Sequence, residues 1–129
     1  MRDILFKAKH IMLNKWYEGY YIKIGILHYI CIAEEDSSFR FIEIEPSTLC
    51  QYTGLKDRNG DKIWENDIVV LPGEDEYFKL WWEADTARFV MTSDSFEVDF
   101  DNFWSYEIEV VGNVFNNPEL VGDPNDETD

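Results

Sequence analysis

Apolar and polar residues along this chain alternate with a period of two far more often than they recur at helical spacing, a pattern that predicts strands. Ile4 and Phe6 alternate against Asp3, Leu5 and Lys7, predicting a first strand over residues 3–8 and then a turn over 10–15 centred on Asn14. Residues 16–24 are aromatic and β-branched, with Gly19 marking a bulge or a close approach of backbone. Beyond Gly25, both alternating sets of residues 26–33 are largely apolar: Ile26, His28, Ile30 and Ile32 against Leu27, Tyr29, Cys31 and Ala33. That pattern fits a strand covered on both faces. A polar loop over 34–38 then returns the chain as a strand over 39–45.

Residues 46–70 hold the densest turn chemistry. Pro46 suits the first turn of a short helix, and Gly54 a left-handed stop after residues 47–52. Two short strands, 55–58 and 61–64, flank Asn59-Gly60, a dipeptide made for a type I′ hairpin turn in which both residues take positive φ. Asn66 is the residue of the next turn best able to go left-handed, and 68–71 is a β-branched strand ended by Pro72-Gly73. Further strands are expected over 77–83, 87–92, 96–101 and 106–111. In the last two, Phe96, Val98, Phe100, Tyr106, Ile108 and Val110 alternate against Glu97, Asp99, Asp101, Glu107 and Glu109. Residues 117–120 read as one capped helical turn, and the tail from 121 is polar and acidic.

Strands at this spacing predict a mainly β protein with minor α content. The expected organisation is an N-terminal β subdomain over 1–45, a helix, hairpin and small SH3-like barrel over 46–120, and an acidic tail over 121–129.

Three stretches carry a family resemblance. Residues 51–69 read QYTGLKDRNGDKIWENDIV, and this resembles the "QYTGLKDKNGKKIYEGDIV" core of the YopX family of phage and prophage proteins. Trp64 stands where the family has tyrosine, and Asn66 where it has glycine. Residues 16–21 (WYEGYY) resemble its N-terminal W-x-x-G strand, and 108–120 (IEVVGNVFNNPEL) its "IEVIGNIYENPEL" ending. The resemblance implies a phage or prophage accessory protein with a mainly β fold. The family has no established biochemical activity, so no catalytic residue is carried over.

Composition narrows the function classes. The 129 residues include 11 Lys and Arg against 27 Asp and Glu, a formal net charge of −16. That balance opposes direct nucleic-acid or anionic-membrane binding, which relies on cations neutralising phosphates. Cys31 and Cys50 are too few for a disulfide framework and lack metal spacing. Charged residues break up the first apolar stretch and no apolar run is long enough to cross a bilayer, so a cytoplasmic protein in the bacterial host is expected.

Candidate chemistry is thin. Asp57, Asn59, Asp61, Glu65 and Asp67 crowd together, but an EF-hand counted from Asp57 puts Ile68 where the bidentate glutamate belongs. The plainer account is a solvated hairpin. His10 and His28 share no zinc spacing, and His28, set among apolar residues, reads as a packed, hydrogen-bonded imidazole. No metal or cofactor is called for.

Two functions remain. The favoured one is a non-enzymatic acidic module that binds a protein, basic in character, through Glu97, Asp99, Asp101, Glu107 and Glu109. If residues 96–101 and 106–111 are sheet neighbours, these five share one face, which either merely keeps the protein soluble or imitates a row of phosphates. Trp81 and Trp82, adjacent and so facing opposite sides of a strand, are a candidate homo-oligomer interface. The alternative is a hydrolase using paired carboxylates such as Asp57 and Glu65.

Overall fold

A computed structural model of the chain describes residues 4–101 and 105–121. The protein is mainly β, with eleven strands among these residues and two single turns of 3-10 helix. It divides into two compact units, Met1–Tyr52 and Thr53–Asp129. The division falls inside a strand, β5 (Cys50–Lys56), rather than at Pro46.

In the first unit β1 (Phe6–Lys9), β2 (Trp16–Ile24), β3 (Leu27–Ala33) and β4 (Phe39–Glu43) form an antiparallel sheet in the order β4-β3-β2-β1, with the start of β5 beyond β1. Cys50 pairs with Lys7 and Gln51 with Phe6. The core gathers on one face, where Ala8, Ile30 and Ile44 are buried and Phe6, Tyr17, Tyr21, Ile32, Ile42 and Leu49 pack around them. Gly19 faces β3 at a distance that leaves no room for a side chain. A Cβ there would lie 2.9 Å from Ile30 Cγ2 and closer still to the Cys31 carbonyl oxygen.

The short helix expected over 47–52 is only a 3-10 turn, Pro46–Thr48. Thr48 Oγ1 donates to the Glu45 carbonyl and accepts the Lys9 N–H at 2.9 Å, fixing the turn against β1. The Tyr52 N–H then donates to the Leu5 carbonyl at 2.8 Å, so β1 recruits residues 50–52 as a strand before a helix can extend. Gly54 does take positive φ, +90°, but within β5 and not as a helix stop.

In the second unit β5 turns back as β6 (Lys62–Trp64), and the Thr53 hydroxyl donates to the Ile63 carbonyl at 2.8 Å. The hairpin turn is not type I′. Gly60 has φ +82°, whereas Asn59 is not among the positive-φ residues. The Gly60 N–H donates to the Asp57 carbonyl and the Asp57 N–H to the Asp61 carbonyl. These bonds describe a type I turn closed by a left-handed glycine, the longer hairpin connection. The next turn follows expectation, with Asn66 at φ +71°.

β7 (Asp67–Val70), β8 (Tyr77–Glu83), β9 (Arg88–Thr92) and β10 (Glu97–Asp99) then follow as a meander, and β11 (Glu109–Asn113) returns to β7. The order is β10-β9-β8-β7-β11, all antiparallel. Its core comprises Ile63, Val69, Leu71, Phe78, Leu80, Met91 and Ile108, with Phe89, Val98, Phe100 and Val110 packed against it. The sheet stays open, because β11 pairs with β7 and leaves β10 as the other edge. Among the described residues there is thus no closed SH3-like barrel. Tyr106 and Glu107 lie in a turn rather than in the strand expected from 106. At 117–120 the chain makes a 3-10 turn without the side-chain cap expected of Asn117, whose Oδ1 accepts the Asn113 N–H instead. The tail from 122 and Trp104 lie outside the described residues.

Candidate functional site

The boundary between the units is also a boundary in charge. Residues 1–52 carry six basic and seven acidic side chains, a net of −1. Residues 53–129 carry five and twenty, a net of −15. Nearly all of the protein's negative charge therefore belongs to the second unit.

Within that unit the five acidic residues do not form one row. Glu97 and Asp99 sit on β10 and Glu109 on β11, the opposite edges of the sheet. Residues 96–101 and 106–111 are not sheet neighbours, so the geometric condition for a continuous phosphate-like face fails. The pairing partner of β11 is β7, and the strand-by-strand alternation of charge could not reveal that. A cation from a neighbouring element reaches the carboxylates of each edge. Arg88 bonds Asp99 and lies 3.6 Å from Glu83 and 3.8 Å from Glu97. Arg58 bonds Glu109 at 2.5 Å, and Asn59 Nδ2 donates to the same carboxylate at 3.2 Å. Around Arg88 three carboxylates still outnumber one guanidinium. Asp101 and Glu107 are exposed.

An open cleft of about 550 Å3 adds a second acidic feature to this unit. Glu76, Asp94 and Glu119 line it together with Lys79. The Glu76 carboxylate accepts the Ser93 hydroxyl at 2.6 Å and the Ser95 hydroxyl at 2.5 Å. These two bonds, Ser93 first, hold its pKa below the ordinary carboxylate value. Glu76 is therefore a fixed anion, suited to attracting a cation rather than to donating a proton.

Asp57 is an anchor. Its buried carboxylate accepts Asn59 N–H and Asp61 N–H on Oδ1 and Val110 N–H on Oδ2, all at 2.9 Å. An acceptor so engaged is badly placed to pair with Glu65 in hydrolysis. Its i to i+2 spacing before Asn59 was the available signal, since aspartate in a turn commonly bonds the backbone two residues on. The histidines are also engaged. His28 Nδ1 lies 2.5 Å from the Tyr21 hydroxyl, with the rings stacked, and His10 Nδ1 accepts the Met12 and Leu13 N–H groups.

Of the two adjacent tryptophans, Trp82 is the exposed one and meets Phe89 edge to face. Trp81 is half-buried, and its Nε1 donates to Thr92 Oγ1 at 3.2 Å.

A larger apolar surface lies in the first unit, on the sheet face away from its core. The register places Tyr20, Cys31 and Phe41 side by side, then Ile22 and Tyr29, Ile24 and Leu27, and Ala33 and Phe39. Tyr20, Ile22, Ile24, Leu27, Phe39 and Phe41 are all exposed. The strand pattern predicts β3 to be covered on both faces; the chain's own core covers one.

Among the described residues no three His, Cys, Asp or Glu side chains converge as a metal site, and no helix is long and apolar enough to cross a membrane. Taken together, the molecule is a small antiparallel β protein built of two units, one nearly neutral with an open apolar face and one strongly acidic. The chain belongs to the YopX protein family, whose model it matches over residues 5–122. No curated protein matches it.

Proposed function

We propose that this YopX protein is a non-enzymatic binding module of phage or prophage origin, acting in the host cytoplasm, whose acidic second unit docks onto a basic protein. The observation that carries the reading is the segregation of charge, a net of −15 over residues 53–129 against −1 over residues 1–52. A field of one sign concentrated on one unit steers a partner of the opposite sign and orients it, as uniform charge would not. Exposed Glu97, Asp99, Asp101 and Glu107 and the carboxylate-lined cleft all contribute to that field. The acidic surface is distributed over both sheet edges rather than drawn up as one row, so the partner is expected to be basic over a broad area. Proteins that bind nucleic acid have such surfaces.

The test uses the full chain as bait for a host lysate at about 50 mM and about 500 mM salt, where screening shortens the Debye length several-fold. A basic protein retained at low salt, released at high salt and displaced by duplex DNA is the expected result. Retained proteins that are indifferent to salt and to DNA would remove the proposal.

A further inference from the structure

We propose that the outer face of β2, β3 and β4 is the contact through which two copies of this chain pair, face to face. The proposal is independent of the acidic unit and its partner.

The first observation is a mismatch between sequence and burial. β3 has the composition of a doubly covered strand, yet the side chains of Leu27, Tyr29, Cys31 and Ala33 point away from the chain's own core. A sheet facing water on one side usually alternates apolar with polar positions. Here the outward positions of β2 beyond Glu18 are Tyr20, Ile22 and Ile24, and β4 contributes Phe39 and Phe41 before Glu43. Tyr20 is 61% exposed, Phe39 62%, Ile24 56% and Phe41 50%.

The second observation is size. Aromatic side chains each offer on the order of 150–250 Å2, so this face presents roughly 500 Å2 of apolar surface. Patches of that size on a monomer are often functional. As one partner's share it falls at the lower end of specific interfaces, so a reversible dimer is expected rather than a permanent one.

Charge selects the occupant. No charged residue lies in the rows of Tyr20, Cys31 and Phe41, of Ile24 and Leu27, or of Ala33 and Phe39, and Glu43 stands at the margin opposite Tyr29. The unit as a whole is within one charge of neutral. A face of this kind offers nothing to a charged partner, but it complements itself about a two-fold axis, the commonest symmetry of soluble oligomers. Two sheets so stacked interdigitate their side chains about 10 Å apart. The −15 of each second unit opposes approach, and salt screens that repulsion while leaving the apolar contact intact. Self-association therefore strengthens with salt, the opposite of the response expected for a basic partner.

Two measurements on the full chain test this. Sedimentation equilibrium from about 1 to about 500 µM should show a monomer–dimer equilibrium that tightens as salt rises. The pair Ile22→Glu and Phe41→Glu should shift it at least tenfold toward monomer, with the circular dichroism spectrum unchanged, whereas Trp82→Gln should leave it in place. A chain monomeric throughout, or a folded double variant that dimerises as well as the parent, overturns the proposal.

Cys31 supplies a readout that needs no variant. It sits mid-face between Tyr20 and Phe41, while Cys50 is 1% exposed. Maleimide labelling at Cys31, located by mass spectrometry, should slow several-fold per molecule as protein concentration rises through the transition. A rate independent of concentration overturns the proposal. So does shielding of Cys31 that requires added phospholipid vesicles, since that would assign the face to a lipid surface.

Discussion

The Asp57 carboxylate accepts the backbone N–H of Val110 at 2.9 Å, joining a hairpin turn to a strand 53 residues further along the chain. The neighbouring Arg58 N–H donates to the Ile108 carbonyl at 3.0 Å, so two consecutive residues of the turn clamp the entry to β11. The densest acidic cluster of the sequence thus contains a structural anchor. Its buried carboxylate ties the two ends of the turn and the start of β11 together through three backbone N–H groups.

Asp57→Ala removes the acceptor for three N–H groups at once. Hydrogen bonds to a charged group contribute about 1.5–3 kcal/mol each, less where water can reach the donor once its partner is gone. A loss of about 2–4 kcal/mol is expected for the set. Urea unfolding followed by tryptophan fluorescence reads it directly, and a midpoint equal to the parent's would mean that the clamp contributes nothing.

The revised turn geometry separates two adjacent residues. In a type I′ turn valine would be strained at both Asn59 and Gly60. With positive φ at Gly60 alone, Gly60→Val should cost about 1–3 kcal/mol, while Asn59→Ala loses only its exposed bond to Glu109 and should cost less, no more than about 1 kcal/mol. Thermal melts of the two variants decide it. Equal, large losses would restore the type I′ assignment.

Gly19→Ala forces a Cβ onto the Cys31 carbonyl and Ile30 Cγ2. Both belong to a paired central strand, so neither can yield without disturbing the ladder. Overpacking of this sort costs about 1–3 kcal/mol. A lowered melting temperature is expected, and hydrogen exchange at the β2 and β3 amides should quicken together. An unchanged melt would show that the two strands can part by a few tenths of an ångström without loss.

Glu76 gives the pH dependence. The Ser93 and Ser95 hydroxyls lower its folded pKa below the ordinary value, so the folded chain holds this proton less tightly than the unfolded chain does. Their contribution to stability is present above the unfolded pKa and is lost as pH falls through the folded one. Ser95→Ala removes one of the two hydroxyl bonds and leaves the Ser93 turn contacts in place. The Glu76 carboxyl titration, followed by carbon-detected NMR, should move upward toward the ordinary value. A titration that stays where it was, or moves down, would dismiss the hydroxyls as the cause.

Much of this protein was legible in the amino-acid order because the signals were local. Alternation places β2, β3, β8 and β9 within a residue or so, and the turn chemistry marks Asn66 as left-handed, because strand periodicity and turn strain act over a few neighbouring residues. Membership of the YopX family was likewise written in the contiguous run of residues 51–69. What misled was long-range. Residues 50–52 became a strand because β1, more than forty residues earlier, offered a free edge. β11 chose β7 as its neighbour, which separated Glu109 from Glu97 and Asp99 and left the sheet open. Asp57 found Val110 across the fold and so became a structural anchor. The open face of β2–β4 was hidden for the same reason: alternation names two apolar faces, but only the packing of the chain reveals which of them the protein covers for itself.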